Sequence, residues 1–152
     1  MTKLIFRVAV TAAVLAVVFA CAGAAWAQAG QPDFFRALAD LRHARAYMEN
    51  APGNGAMHEE ERQAIYEIDQ AVNEIKRAGI DDGKDIHDHP PIDPRMDWPG
   101  RLERTRSVLD AAEHDVARGV AADRTLEKLR DHVMEHTSKA RHHVNELVKM
   151  SR

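Results

Sequence analysis

LEKLRDHVMEHTSKARHHVNEL, residues 126–147, has the spacing of a helix that packs in a bundle. Its apolar and small residues recur at alternating steps of three and four, which places them on one stripe of an α-helix. These residues are Leu126, Leu129, Val133, Ala140 and Leu147. Two histidines, His136 and His143, occupy stripe positions where leucine would be expected. We therefore predict a packed helix that carries two polar groups on its buried side.

Three earlier segments show the same helical period, and none shows the alternation of a β-strand. The four predicted helices cover about 34–49, 58–79, 100–118 and the residues from about 123 onward. Asp33 and Asp123 are expected to cap the first and last helices, while Gly79 and Gly119 follow the second and third. The sequence predicts an all-α protein, an antiparallel four-helix bundle with a long loop between helices 2 and 3.

That loop, residues 80–100, reads IDDGKDIHDHPPIDPRMDWPG and holds four prolines. Connections of this length in a small domain are usually functional or cross between distant ends of the fold. Its larger apolar residues could cover one end of the core, and they are Ile86, Ile92, Met96 and Trp98. The loop could therefore carry a function, or it could connect distant ends of the bundle.

The first 27 residues have the layout of a secretory signal. Lys3 and Arg7 precede an apolar run, and Ala25 and Ala27 form an A-x-A cleavage site. We expect cleavage after Ala27, which leaves residues 28–152 as a single four-helix domain in the periplasm or outside the cell. The alternatives are an uncleaved membrane anchor and lipidation at Cys21, where the sequence VFAC loosely resembles a lipoprotein box.

Composition narrows the class of function. The formal net charge is −3, and it becomes −5 once Lys3 and Arg7 leave with the signal. An acidic chain is a poor candidate for binding nucleic acid or anionic membranes, so we expect no nucleic-acid partner and no stable membrane insertion after cleavage. The mature chain would contain no cysteine, so its stability must come from a packed core and not from disulfides.

Nine histidines raise the question of a metal site. His132 and His136 are four residues apart, so both imidazoles could reach one ion from the same helix face. In the loop, His87 and His89 alternate with aspartates that could complete a second set of ligands. We therefore name His132, His136, His87 and His89 as candidate ligands for a divalent metal such as zinc or copper.

A structural role for the same histidines is the competing interpretation. His136 and His143 could each bond a carboxylate or carbonyl on a neighbouring helix, or His143 could turn to solvent and leave Val144 to pack. The loop histidines would then belong to a solvated turn. The paired Glu-x-x-His motifs of di-iron bundles are absent from the sequence.

Motifs for other chemistry are missing. There is no C-x-x-C-H for covalent haem, and Met48 stands at the far end of the first helix, which departs from the axial arrangement of b-type four-helix cytochromes. There is no G-x-S-x-G elbow and no glycine-rich phosphate loop. We therefore expect no enzymatic activity and no cofactor.

Four stretches of the sequence together carry a resemblance to known proteins: LADLRHARAYMEN at 38–50, AIYEIDQAVNEIKRAGIDDGKDIHDHPPID at 64–93, GRL at 100–102 and LRDHVMEH at 129–136. They resemble a group of small exported bacterial helical proteins of uncharacterised function. The chain also resembles the periplasmic helical stress chaperones in size and helix content, although their L-T-x-x-Q motif is absent. The resemblance implies a secreted helical bundle and no catalytic residues.

Two hypotheses of function follow. The first is a non-enzymatic exported bundle that binds a protein partner or a small-molecule ligand through the histidine-bearing helix and the loop. The second is a metal- or haem-binding periplasmic protein that uses His132, His136 and His87 or His89. Metal or a visible absorbance band in the purified protein would favour the second.

Overall fold

The computed structural model describes residues 31–49, 55–119 and 124–152. These described ranges contain no strand. They form four α-helices: α1, Gln31–Met48; α2, Gly55–Arg77; α3, Trp98–Arg118; and α4, Arg124–Met150. The all-α prediction with four helices is confirmed. The predicted signal residues 1–27, with Cys21, and the predicted cap Asp123 lie outside the described residues.

The helices pack against one another in four pairs. The most extensive contact is between α2 and α4, followed by α1 with α3, α3 with α4 and α1 with α2. Within the described ranges, α1 and α4 do not pack directly, and neither do α2 and α3. Each helix therefore has two neighbours. The next helix along the chain after α2 is α3, which does not pack against α2.

One continuous core fills the space between the helices. It includes Phe34 and Leu41 of α1, Ile68 of α2, Leu109 of α3 and Leu147 of α4, each at most 1% exposed. Burying side chains of this size contributes roughly 1.5–3 kcal/mol each, before the entropy of ordering them is subtracted. In the part of the chain that the structure describes, no helix is both long and apolar enough to span a membrane.

The buried stripe of α4 differs from the predicted one. The fully enclosed positions include Thr137 and Val144, while His136 and His143 lie beside the stripe with side chains 23% and 24% exposed. Thr137 is tolerated in the core because its hydroxyl donates to the Val133 carbonyl at 2.8 Å. The prediction that the histidines occupy the stripe itself was therefore wrong by one residue.

Helix ends follow ordinary capping chemistry, with one correction. Asp97 caps α3, because its carboxylate accepts a hydrogen bond from the Gly100 amide at 2.9 Å. Gly79 adopts a positive φ of 79° after α2, and Gly119 ends α3, as predicted. Asp33 is not a cap, because α1 begins at Gln31; its carboxylate lies in the first turn, where it suits the helix dipole.

The C-terminal half of α1 is buried on more than its core side. Arg42, Ala46 and Tyr47 are between 1% and 4% exposed although they lie off the main stripe. Residues 78–97, here called the linking segment, join α2 to α3 without helix. Contacts between this segment and Arg42 cover part of the outer side of α1.

Candidate functional site: the linking segment and the histidine–glutamate pairs

Arg42 is the main anchor of the linking segment. Its guanidinium donates to both carboxylate oxygens of Asp82, at 3.0 and 2.6 Å, and its Nε donates to the Asp88 carbonyl at 3.1 Å. The Arg42 side chain is 1% exposed, and the Asp82 side chain is 17% exposed. The hydrogen bonds from Arg42 hold the pKa of Asp82 below its usual value of 3.8. One buried cation thus binds the segment at two points.

Aspartates inside the linking segment fix its local turns. Five carboxylates each accept a hydrogen bond from a backbone amide two or three residues further on, at 2.9 to 3.3 Å. They are those of Asp81, Asp82, Asp85, Asp93 and Asp97. Aspartate side chains commonly stabilise turns in this way. Asp85, one of the aspartates beside His87 that suggested a metal site in the sequence, therefore has a structural use.

Further contacts lie near both ends of the segment. Near its start, the Lys76 ammonium donates to the Lys84 carbonyl at 2.8 Å. Just beyond its end, the Arg101 guanidinium donates to the carbonyls of Ala46 and Glu49 at the close of α1, at 3.3 and 2.7 Å. Arg101 also lies over the Trp98 ring, 5.5 Å from its centre. The two bonds from Arg101 satisfy carbonyls at the end of α1 that otherwise need a partner.

The apolar residues of the loop fit the core unevenly. Trp98 is buried at 8% exposure, and Ile86 is partly buried and packs against the core. Ile92 and Met96 are only partly covered. The outer side of the segment is polar: Lys84, Asp88 and Arg95 are among its exposed residues. The segment therefore presents charge and proline to solvent while one side holds it to α1.

The helix histidines pair with glutamates of α2. His136 Nδ1 lies 2.6 Å from Glu67 Oε2, and His143 Nδ1 lies 2.7 Å from Glu60 Oε2. Both pairs are partly buried at the α2–α4 contact. The prediction that these histidines bond a carboxylate on a neighbouring helix is confirmed. Val144 packs in the core at 0% exposure, although His143 pairs with Glu60 and does not turn fully to solvent.

His132 does not share this environment. Its side chain is 62% exposed, and its Nδ1 lies 3.9 Å from Glu74 Oε2, beyond hydrogen-bonding distance. His132 and His136, which were predicted to bind one metal ion together, therefore face different glutamates. Only His136 lies within hydrogen-bonding distance of its glutamate.

The loop histidines are held separately from each other. His87 Nδ1 lies 3.4 Å from an Arg45 nitrogen and 3.7 Å from Glu49 Oε1. His89 Nδ1 lies 2.8 Å from the Pro90 carbonyl oxygen, a local contact. Nowhere in residues 31–49, 55–119 and 124–152 do three or more histidine, aspartate or glutamate side chains converge as metal ligands would.

Two groups on α1 have shifted pKa values. Burial raises the pKa of Asp40 to about 6, and the nearby Asp115 carboxylate adds to the effect. Burial lowers the pKa of His43 below its ordinary 6.5, and His89 and Arg104 lower it further. His43 also stacks on Tyr47, with ring centres 4.6 Å apart. The linking segment thus changes the electrostatic environment of α1 through His89.

Arg42, the residue that organises this site, was not identified from the sequence. It lies 40 residues from Asp82, so no local spacing links the two. Asp97 had a readable signal, since an aspartate shortly before Pro99 is typical of a helix start.

Comparison with protein-family models, curated proteins and solved structures finds no match to the chain. The resemblance to small exported helical proteins therefore stays a prediction. Function has to be inferred from the residues described above.

Proposed function

We propose that the chain is an exported, non-enzymatic helical-bundle protein that binds a protein partner through the outer surface of the linking segment. The observation that carries the proposal is Arg42, a fully buried cation whose hydrogen bonds all go to that segment. Export is supported by the signal-like layout of residues 1–27.

Burying a guanidinium costs free energy unless its charge and donors are satisfied. A loop that only connected two helices would not need such an anchor, because solvated turns suffice. Arg42 and the aspartate-capped turns together order the backbone before any partner arrives. Ordering the segment in advance removes a cost that a flexible loop would meet on binding.

The exposed side chains indicate the chemistry of the partner. Lys84 and Arg95 stand among exposed aspartates such as Asp88, and prolines separate them. A surface of mixed charge with little apolar area suits a polar protein surface that pairs charge with charge. We therefore expect a partner that is recognised by charge pattern and an association that weakens as salt rises.

The proposal includes the finer topology, in which neighbouring helices are antiparallel. It is supported by His143, late in α4, pairing with Glu60, early in α2, while His136 pairs with Glu67. At the other helix pair, Arg101 at the start of α3 meets the end of α1. In this arrangement α2 and α3 are parallel, and the linking segment is a long loop that runs along α1 between them.

Chemical crosslinking tests the topology. A short thiol-reactive linker should join Glu59→Cys of α2 to Glu146→Cys of α4. A parallel α2–α4 pair would separate these positions by roughly 27 Å, at 1.5 Å per residue, and would give no crosslink.

Site-specific photo-crosslinking in the native host tests the binding function. A photoreactive amino acid at Asp88 should capture one discrete protein species. The same probe at Asp131, an exposed position on α4, serves as the control. Substituting Lys84→Ala and Arg95→Ala beside the Asp88 probe should weaken capture without changing thermal stability, because no described hydrogen bond involves their side chains. No discrete product at Asp88, or an equal product at Asp131, would reject the proposal.

A further inference from the structure

A cleft of about 370 Å³ lies between α3 and the last turns of α4, on a face separate from the anchor contacts of the linking segment. Arg106 lines it from α3, and His142, Glu146, Lys149 and Arg152 line it from α4 and the residues that follow this helix. Three permanent cations and an imidazole therefore outnumber the one carboxylate of the lining, that of Glu146, in a protein whose net charge is negative.

The carboxylates near the cleft are already engaged. Lys149 Nζ donates to Glu146 Oε1 at 2.6 Å, and this bond lowers the pKa of Glu146. Arg106 bonds Glu103 at 3.0 and 3.2 Å. Within the described part of the chain, Arg152 forms no hydrogen bond or ion pair. The same is true of His142, apart from a ring contact with His143 whose centres are 5.7 Å apart. The cleft thus retains donors that no protein acceptor uses.

We propose that this cleft binds a small organic anion that carries two or more carboxylate or phosphate groups. Guanidinium groups on two sides can each bond one such group in a forked geometry, which a single ammonium cannot do. The volume is at the lower end of small-ligand sites, which run from roughly 300 to 1,000 Å³. Val148 and the carbon stems of the long side chains add apolar contact to the charged groups of the lining. This inference is independent of the function proposed for the linking segment.

A purely structural role for the same cations is the competing explanation. Lys and Arg in the last turn of a helix stabilise it by interacting with the negative end of the helix dipole. That role concerns Lys149, in the last turn of α4, but not Arg106, which belongs to the middle of α3. The two explanations therefore differ in what an α3 substitution does to anion binding.

Calorimetric titration of the purified protein at constant ionic strength separates them. Citrate is the probe for a multivalent carboxylate, inositol hexakisphosphate for a multivalent phosphate, and inorganic phosphate for a single group. At least one multivalent probe should bind with saturable 1:1 stoichiometry and at least tenfold more tightly than inorganic phosphate. Arg106→Gln should weaken that binding about tenfold, the cost of one charge-assisted bond. Lys128→Gln, at an exposed cation of α4 outside the cleft, should leave the affinity within twofold.

Arg106→Lys should recover only part of the affinity, because it keeps the charge and loses the fork. Circular dichroism of each variant should be unchanged, since Arg106 is only partly buried. No saturable binding of either multivalent probe, equal affinity for inorganic phosphate, or equal loss in Lys128→Gln and Arg106→Gln would overturn the proposal. The last result would mean a diffuse positive surface and no site.

Discussion

Arg42 and Asp82 form a two-pronged ion pair, at 2.6 and 3.0 Å, between a fully buried position of α1 and a partly exposed position of the linking segment. The pair joins residues 40 apart in the chain. It explains why the outer side of α1 is covered and why a proline-rich segment without helix has a defined path.

The losses from removing the two partners of this pair should not add. Asp82→Asn leaves a buried guanidinium without its counter-charge, and we expect the free energy of unfolding to fall by about 3 kcal/mol. Arg42→Met with Asp82→Asn should be more stable than the sum of the two single losses predicts. Urea unfolding of the natural chain, the two single variants and the double variant measures this coupling. Additive losses would mean that the pair contributes nothing as a unit.

Ionisation of Asp40 should lower the free energy of unfolding at neutral pH. Its folded pKa of about 6 exceeds the ordinary 3.8, so the folded state holds the proton more tightly. The resulting stabilisation is complete below pH 3.8 and is lost as pH rises through 6. Because Asp40 is only half-buried, we discount the shift and expect Asp40→Asn to gain about 1 kcal/mol at pH 8. It should change little at pH 4.

Urea unfolding of Asp40→Asn at both pH values checks this expectation. Asp131→Asn is the control, because Asp131 is 63% exposed on α4. A gain of equal size at pH 4 and pH 8 would show that the charge of Asp40 is not the cause.

His43 should have the opposite dependence on pH. Its pKa is lowered by burial and by His89 and Arg104, so the unfolded chain takes up the proton first. Stability due to neutral His43 is present above pH 6.5 and is lost as pH falls below that value. His43→Phe keeps an aromatic ring against Tyr47 and removes the titration. The variant should therefore lose less stability than the natural chain between pH 7 and pH 5, and a parallel loss in both proteins would contradict this.

The histidines of α4 should differ in their contribution to stability. His136→Leu breaks a 2.6 Å contact and leaves Glu67 partly buried, so we expect a loss of about 1–2 kcal/mol with the fold intact. His132→Leu removes an exposed side chain 3.9 Å from its glutamate and should cost less than about 0.5 kcal/mol. Thermal unfolding with and without zinc measures both. If zinc stabilised the natural chain and either substitution abolished that effect, the result would instead support the predicted metal site.

The sequence was enough for the helices but not for the exact buried stripe. Steps of three and four from Leu126 lead through His136 and His143, yet the buried positions are Thr137 and Val144. A helix turns every 3.6 residues, so a stripe drawn at 3.5 drifts sideways along a helix of this length. Thr137 can be buried although it is polar, because its hydroxyl is satisfied by its own helix. Helix capping at Asp97 and the turns at the aspartates are local and readable, whereas the Arg42 contacts depend on tertiary structure.

Hydrogen exchange of the linking segment tests most directly whether Arg42 holds it as a fixed surface. The amides of His87 and Asp88 donate to Asp85 at 2.9 and 3.1 Å, and they should be protected in the natural chain. In Arg42→Met they should exchange at least tenfold faster, while amides in the middle of α4 keep their protection. Equal exchange of the segment in both proteins would contradict the role assigned to Arg42, and with it the basis for a preformed binding surface.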